Sequence, residues 1–351
     1  MGAGRPGDVT TRSPGILPRE IIERVAANTQ KWRAPEGLAN ARRNLPHITQ
    51  TIAQLRDSVG QPVERALVIA AGPSLRRQGM VARIKALPHR PLLVCCDGAM
   101  AACLREELVP DIVVSLDPHA NRIVRWFGDG KLSERPDDDC VSRQDLGVDF
   151  HEEERKNLEV LSLVNRYGPR IRAALSTSVA IDVTERCLEA GMRLFWWNPL
   201  YDDWSKRESV TRQVFDLTGG VPCMTGLGHC GGAAWVLAHA VLGARRVGIV
   251  GMDLGYPEGT SVVDTQYYEF VRHLSPADAE QLLVRIDNPH TGSAYLTDPV
   301  YYWYRESLLD AVTRADCTTV NCSGEGTLFG PGLEWQRLEE FAGPSRPWLT
   351  S

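Results

Sequence analysis

The chain has 351 residues and a formal net charge of −5, with 43% hydrophobic and 24% charged residues. This length can bury a sizeable core, and the composition is that of a soluble globular protein, which argues against a disordered, fibrous or membrane-bundle class. The mild negative charge gives no general attraction to nucleic acid, and no apolar run approaches the roughly 20 residues that cross a bilayer. We therefore expect neither a nucleic-acid partner nor a membrane span.

The N-terminal part of the chain differs from the rest in pattern. Residues 1–17 are rich in Gly, Pro, Arg and Thr and lack the apolar core of a signal peptide, so we expect a flexible start and a cytoplasmic location. Residues 18–60 carry apolar side chains at helical spacing, in 18–33 and again in 38–59, which predicts a helical extension. The nine cysteines include no Cys-x-x-Cys pair, so reduced core thiols are favoured over disulfides or a metal site.

From residue 65 onward, short apolar runs alternate with helical segments, which is typical of a parallel sheet with crossover helices. The runs predicted as strands are 66–71, 92–96, 112–116, 160–164, 194–197, 247–250 and 318–321, and helices are predicted at 75–87, 100–108, 179–190 and 232–242. The predicted fold class is α/β, a Rossmann-like doubly wound, mostly parallel sheet over residues 61–340 with the N-terminal helical extension. Residues 341–351 are predicted to form a tail.

A polar stretch interrupts this alternation at residues 128–157. Its weak periodicity predicts a surface insertion. The run Asp137–Asp139 within it has the right chemistry for a divalent ion, but consecutive residues point in different directions, so a solvated loop is favoured.

The first predicted strand of the core ends in Gly72-Pro73-Ser74-Leu75, directly before a helix. A flexible glycine, a proline suited to the first helical turn and a small hydroxyl make a phosphate cradle, because helix N-termini present unpaired N–H groups. An ordinary turn capped by serine fits the same residues equally well. The pattern is neither Gly-x-Gly-x-x-Gly nor a Walker loop, so NAD and P-loop chemistry lose their main support.

The next two predicted strands each end in an acid, in Asp97-Gly98 and in Asp117. Ligands of open α/β sheets lie outside the carboxyl ends of the strands, where an acid accepts hydrogen bonds from sugar hydroxyls or holds Mg²⁺. Helix capping is the structural alternative for each acid. Because both acids recur beside the Gly72 turn, we expect them to serve function.

A glycine-rich loop precedes the helix predicted at 232–242. Its Thr225, Gly226 and Gly228 allow close backbone approach to a diphosphate or a carboxylated sugar, and His229 can carry a proton near neutral pH. A lone loop histidine is more often a surface or packing residue. Asp253 follows the strand at 247–250 and can complete the same crevice.

Three later residues are candidates for the acceptor side of a site, namely Tyr256, His290 and Asn321. The aromatic run at 301–304 is better explained by helix packing, since four adjacent aromatic side chains cannot all face one ligand. The sequence contains neither a Gly-x-Ser-x-Gly elbow nor a His-Glu-x-x-His zinc motif.

Four segments, taken in order, resemble one known family. They are Ala-Ala-Gly-Pro-Ser-Leu at 70–75, Cys-Asp-Gly-Ala at 96–99, Val-Pro-Asp-Ile-Val-Val-Ser-Leu-Asp-Pro at 109–118 and the segment at 242–256 that ends in Gly-Met-Asp-Leu-Gly-Tyr. Together they look like the MptE-like domain, whose family includes archaeal hydroxymethylpterin diphosphokinases and bacterial motility accessory factor (Maf) glycosyltransferases. The Gly-Pro-Ser-Leu turn is also similar to that of bacterial sialyltransferases.

The resemblance implies two activities. One is transfer of a nonulosonic, sialic-acid-like sugar from a CMP donor to a hydroxyl of a protein or glycan. The other is transfer of diphosphate from ATP to a pterin hydroxymethyl group, with Mg²⁺ on Asp97 and Asp117. Both place the nucleotide at the Gly72 turn. From the residues themselves, the candidate catalytic residues are Asp97, Asp117, His229 and Asp253.

The N-terminal helices and the region after Tyr256 resemble the longer Maf-type members, which favours sugar transfer. A non-catalytic nucleotide-binding protein is the alternative of another class, because fold does not fix function.

Overall fold

A computed structural model describes residues 17, 19–60, 62–119, 125–132, 150–268, 271–272 and 279–343. Nine strands form a parallel sheet and three form a small antiparallel sheet beside it. The strands are β1 Arg65–Ile69, β2 Leu92–Cys96, β3 Ile112–Ser115, β4 Arg172–Ser176, β5 Arg193–Pro199, β6 Cys223–Met224, β7 Arg246–Val250, β8 Tyr256–Pro257, β9 Val284–Asp287, β10 Ala294–Thr297, β11 Thr318–Asn321 and β12 Leu333–Trp335. The large sheet has the order β12-β11-β7-β1-β2-β3-β4-β5-β6, and the small one β8-β10-β9.

Helices cover both faces of the large sheet. They are α1 Arg19–Asn44, α2 Ile52–Val59, α3 Ser74–Arg77, α4 Met80–Lys85, α5 Asp97–Arg105, α6 Phe150–Tyr167, α7 Ile181–Glu189, α8 Val210–Leu217, α9 Cys230–Val236, α10 Pro299–Thr313 and α11 Leu338–Ala342. The last turn after α9, Leu237–Val241, is π-helical. In the part of the chain that the structure describes, no helix has the length and apolarity to cross a membrane.

The central strands are apolar throughout because both of their faces are buried. Successive residues of β1 point to opposite faces, so Leu67 and Ile69 join one core cluster while Ala66 and Val68 join the other. All four side chains are fully buried. The predicted α/β class, with a mostly parallel sheet and N-terminal helices, is confirmed.

One predicted strand is wrong. Residues 160–164 lie inside α6, where buried Val160 and Val164 stand one helical turn apart while Leu161 is only partly buried. The strand actually found in this region is β4, whose Ala173 and Ala174 lack the β-branched or aromatic character that marks strands in a sequence.

The last residues of the predicted surface insertion at 128–157 begin α6, which starts at Phe150. The triple aspartate Asp137–Asp139 lies outside the described residues. The two N-terminal helical segments predicted at 18–33 and 38–59 are divided differently: α1 runs through residues 33–38 with Pro35 inside it, and α2 follows separately. The small antiparallel sheet was not predicted.

The strand order reverses direction beside β1. The chain continues from β1 to β2, β3, β4, β5 and β6 on one side, whereas β7, β11 and β12 lie on the other. The carboxyl ends of β1 and β7 lie at this reversal of the strand order, and ligands of doubly wound sheets bind in the crevice outside such a point.

Candidate functional site

A cavity of about 530 Å³ lies at this reversal point. Loops after β1, β2, β3 and β7 form its floor, and α1, the loop before α9, and α10 form its walls. Nine of the residues predicted from the sequence line it together: Gly72, Pro73, Asp97, Gly98, Asp117, Gly228, His229, Asp253 and Tyr256. Six others do not line it: Ser74, Leu75, Thr225, Gly226, His290 and Asn321.

The Gly72 turn is held by the protein itself. The Gly72 N–H donates to the Gly251 carbonyl at 2.7 Å, and the Ser74 N–H donates to Asp253 Oδ2 at 2.8 Å. The Ser74 hydroxyl donates to Asp253 Oδ1. The Asp253 carboxylate thus occupies the place at which the sequence predicts a phosphate, and the turn contributes shape more than free donors.

Glycine is required at the first position of this turn. A Cβ on Gly72 would lie 2.4 Å from the Gly251 carbonyl oxygen and 2.9 Å from Asp253 Cγ. Such distances are far inside van der Waals contact, so the two loops approach this closely only because no side chain separates them. The glycine therefore keeps the loops after β1 and β7 together across the crevice.

Asp97 begins α5 on the cavity floor and is 3% exposed. Its Oδ2 accepts from the Ser115 hydroxyl at 2.6 Å, and its Oδ1 accepts from the Gly98 N–H at 2.8 Å. Burial raises the pKa of Asp97 to about 6, although these two hydrogen bonds oppose the shift. The group consequently exchanges its proton near neutral pH.

Asp117, which follows β3, is paired with a residue that sequence reasoning missed. Arg33 Nη1 of α1 lies 3.2 Å from Asp117 Oδ2, and the His119 N–H donates to Asp117 Oδ1 at 3.1 Å. The Asp117 carboxylate raises the pKa of Arg33 above its usual range. An arginine in a helix that packs on the core has no local sequence signature, so only the docking of α1 identifies it as a cavity residue.

His229 is the N-cap of α9. Its Nδ1 accepts from the Gly232 N–H at 3.3 Å, and its ring stacks on Tyr304 with the centroids 4.8 Å apart. Burial lowers the pKa of His229 to about 3, so the imidazole stays neutral at physiological pH. Catalysis by His229 remains a prediction, and its observed contacts are those of a helix cap.

Tyrosines form the wall opposite the acids: Tyr256, Tyr267, Tyr301 and Tyr304. The Tyr256 hydroxyl donates to Asp298 Oδ2 at 2.8 Å and accepts from the Gln266 N–H at 3.0 Å. Asp298 is the buried N-cap of α10, where burial raises its pKa to about 6. The tyrosine rings also contact one another, so this wall is a packed aromatic cluster at the edge of the cavity.

The remaining predicted residues support neighbouring loops. His290 stacks on Trp335 with the centroids 5.3 Å apart, and Asn321 donates to the Leu328 carbonyl at 2.8 Å. Thr225 Oγ1 accepts from the Leu227 N–H at 3.2 Å inside the glycine-rich loop.

The acids of the cavity do not form a ready Mg²⁺ site. Within the described residues, no group of three or more His, Cys, Asp or Glu side chains is arranged to hold a metal ion. Asp97 accepts hydrogen bonds on both oxygens, and Asp117 is engaged by Arg33. Mg²⁺ binds through one or two carboxylates and substrate phosphates, so the phosphates of a bound nucleotide would have to complete a site at Asp97 or Asp117.

Comparisons with known proteins agree with the resemblance inferred from the sequence. Residues 39–126 match the model of the family MptE-like, described as 6-hydroxymethylpterin diphosphokinase MptE-like. The fold is similar to that of the MAf glycosyltransferase from Magnetospirillum magneticum AMB-1, with a TM-score of 0.50 and 14% identity over 85% of this chain. The match covers 38% of that longer chain. No curated protein matches in sequence. The predicted resemblance is thus confirmed for the matched segment and for the fold.

Proposed function

We propose that the chain is a transferase that binds an activated nucleotide in the cavity and transfers a nonulosonic sugar from a CMP donor to a hydroxyl acceptor. The family match and the fold similarity support the transferase class. The observation that carries the choice of donor is the charge of the cavity. Its described lining holds four aspartates and one arginine, namely Asp97, Asp117, Asp253, Asp264 and Arg33.

An acidic cavity favours the donor with fewer charges. A CMP-linked nonulosonic acid carries one phosphodiester charge and one carboxylate, whereas ATP carries a triphosphate. Like charges in a partly buried site repel strongly, because screening by water is reduced there. One arginine can neutralise one anionic group of the CMP donor, whereas ATP would depend on added cations. The volume of about 530 Å³ is also within the usual range of about 300–1000 Å³ for ligand sites.

The two acids on the floor divide the catalytic work. Burial raises the pKa of Asp97 to about 6, whereas Asp117 is ion-paired with Arg33 at 3.2 Å. Two carboxyl groups in such different environments suit different roles, one as the acid–base residue and one as a charge beside the sugar. Asp97 is therefore proposed as the general base.

The proposed reaction is a single nucleophilic displacement at the anomeric carbon of the sugar. Asp97 takes the proton of the acceptor hydroxyl as the acceptor oxygen bonds to the anomeric carbon of the sugar. The bond from that carbon to the phosphate oxygen breaks at the same time, and CMP leaves with the electron pair. Positive charge that develops on the sugar is stabilised by the neighbouring anion Asp117.

The test is a transfer assay with a CMP-activated sialic-acid-like sugar, following release of CMP in the presence of hydroxyl acceptors. Asp97→Asn should lower kcat by about 10²–10⁴-fold, the usual contribution of a general base. Asp111→Asn is the matched control, because Asp111 lies at the amino end of β3 and pairs with Arg90 at 3.2 Å, away from the cavity. Equal loss in both variants, or no CMP release by the wild type with any acceptor, would count against the proposal.

Diphosphate transfer from ATP is the second candidate. The description of the matching family and the nearness of Asp97 and Asp117 on one floor favour it. Asp97 and Asp117 would hold Mg²⁺ in that reaction, and the ion would supply positive charge against the phosphates of ATP. Mg²⁺-dependent release of AMP from ATP with a hydroxymethylpterin, and no release of CMP from the sugar donor, would select this reaction instead.

A further inference from the structure

We infer that Arg33 is the anion-binding residue of the cavity and that Asp117 holds its guanidinium in position until a carboxylate or phosphate of the substrate replaces it. The inference deepens the proposed function and rests on it for the identity of the substrate. The claim that Arg33 binds an anion is argued from the geometry of α1 and does not depend on the identity of the substrate.

The position of Arg33 is fixed by two buried amides on the same helix. Asn40 Nδ2 donates to the Pro118 and Ser178 carbonyls at 3.2 and 2.9 Å. Asn44 Nδ2 donates to the Thr177 and Val179 carbonyls at 3.0 and 2.8 Å. These carbonyls belong to the loops at the carboxyl ends of β3 and β4, so the amides attach α1 to the edge of the sheet that carries the cavity.

The spacing along α1 places the arginine on the anchored face. Arg33 precedes Asn40 by seven residues and Asn44 by eleven, and both separations bring side chains to nearly the same side of an α-helix. Between them, Gly37 lets the helix approach the sheet, because a Cβ there would lie 1.9 Å from the Tyr201 hydroxyl oxygen. The helix therefore delivers the guanidinium to the cavity from a fixed frame.

The guanidinium is accessible and has donors to offer. Its side chain is 31% exposed, and that of Asp117 is 20% exposed. Among the described residues, the contact with Asp117 through Nη1 is its single recorded ion pair. A guanidinium carries five N–H donors in a planar fork that matches a carboxylate or a phosphate in two-point contact. The exposed part of the side chain faces the cavity that Arg33 lines, where a ligand can reach it.

Arg33 is also the one lysine or arginine among the described cavity residues. Arg77, the next cation, lies 4.0 Å from Asp253 but is paired with Glu325 outside the lining. Among the described lining residues, Arg33 is therefore the cationic partner that an anionic substrate meets beside four aspartates. The Asp117 carboxylate carries the same kind of charge as an anionic group of the substrate. A ligand that replaced Asp117 on Arg33 would therefore form an equivalent ion pair.

The test compares Arg33→Gln and Arg33→Lys with Arg105→Gln, a matched control whose arginine pairs with Glu159 at 3.1 Å on the surface of α5. Thermal midpoints are followed against inorganic phosphate, acetate, CMP and cytidine at constant ionic strength. We expect the wild type and the control to respond equally to the anions. Arg33→Gln should weaken anion binding by tenfold or more, and Arg33→Lys by less, because lysine keeps the charge without the fork.

The separate ligands identify the anionic group. A tenfold loss for phosphate and CMP assigns Arg33 to the phosphate, whereas a loss for acetate alone assigns it to the sugar carboxylate. Cytidine should bind all variants alike. Anion binding that is lost in Arg33→Gln without any binding of CMP or cytidine would keep this inference and reject the proposed donor. Equal anion binding by wild type and Arg33→Gln, or absence of anion binding by the wild type, would overturn it. The double variant Arg33→Gln/Asp117→Asn removes both charges of the ion pair and so leaves neither unpaired. If its thermal midpoint without ligand equals that of the wild type and anion binding is still lost, misfolding is excluded as the cause of the loss.

Discussion

At the scale of single residues, the proton of Asp97 determines the predicted pH dependence. If Asp97 is the general base, activity should rise with pH as the carboxyl loses its proton near pH 6 and should level off above it. The profile of kcat/KM against pH measures this directly. Ser115→Ala removes a hydrogen bond to the charged form, so it should move the rising limb to higher pH. A profile that is flat between pH 5 and 8 would contradict the role of Asp97.

The stability of the protein should carry the same signature. Between about pH 4 and pH 6, folded Asp97 holds its proton while the unfolded chain has lost it. The folded state then binds more protons, so this residue lowers the free energy of unfolding as the pH rises through that window. Because the variant lacks this negative contribution, the slope of the free energy of unfolding against pH should be more positive in Asp97→Asn, as denaturant unfolding at several pH values would reveal. An unchanged slope would mean that Asp97 titrates normally.

The close packing of Gly72 against the loop after β7 leads to a prediction about stability. Gly72→Ala should destabilise the protein by about 1–3 kcal/mol, the usual cost of overpacking, because the new Cβ would press on the Gly251 carbonyl. Gly98→Ala is the matched control, since its nearest neighbour, the Ala71 Cβ, would be 3.4 Å away. Denaturant unfolding of both variants decides the matter, and equal stability of the two would show that the loops move apart freely.

At the scale of elements, the prediction concerns the hydrogen bonds that attach α1 to the sheet. Asn44→Ala should lower the free energy of unfolding by about 1–3 kcal/mol. The Thr177 and Val179 carbonyls and the Thr184 hydroxyl would then lose their buried hydrogen bonds to the Asn44 amide. It should also weaken ligand binding through a misplaced Arg33. Arg42→Ala, on an exposed position of the same helix, should change neither quantity. Loss of stability with unchanged ligand binding would separate α1 from the site.

The same elements show how far the sequence could predict the structure. Acids directly after apolar strands predicted Asp97 and Asp117 on one floor, because the carboxyl ends of parallel strands meet at one edge. The contact of Ser74 with Asp253 spans 179 positions, and that of Arg33 with Asp117 depends on how α1 docks. Local patterns do not encode such distant contacts. The strand β4 was not predicted for a different reason, because its Ala173 and Ala174 have a high helix propensity.

At the scale of the whole molecule, the order of the strands explains why the candidate residues converge. Residues from positions 33 to 304 reach one cavity because the sheet reverses between β1 and β7. Among the predicted residues that lie elsewhere, His290 belongs to the turn between β9 and β10, where it packs on Trp335. The cavity, with the four aspartates and one arginine of its described lining, leads to the proposal of a nucleotide-activated sugar donor.

The most direct test of that proposal is the thermal midpoint of the purified protein with CMP, CTP, ATP, ADP and GTP, each with and without Mg²⁺. A ligand at a hundred times its dissociation constant stabilises the folded state by about 2.7 kcal/mol, which shifts the midpoint measurably. We predict stabilisation by CMP without Mg²⁺, and little by CTP without Mg²⁺, because its triphosphate meets the same repulsion as that of ATP. Stabilisation by ATP with Mg²⁺ alone would contradict the CMP donor, and no shift with any nucleotide would contradict nucleotide binding in the cavity.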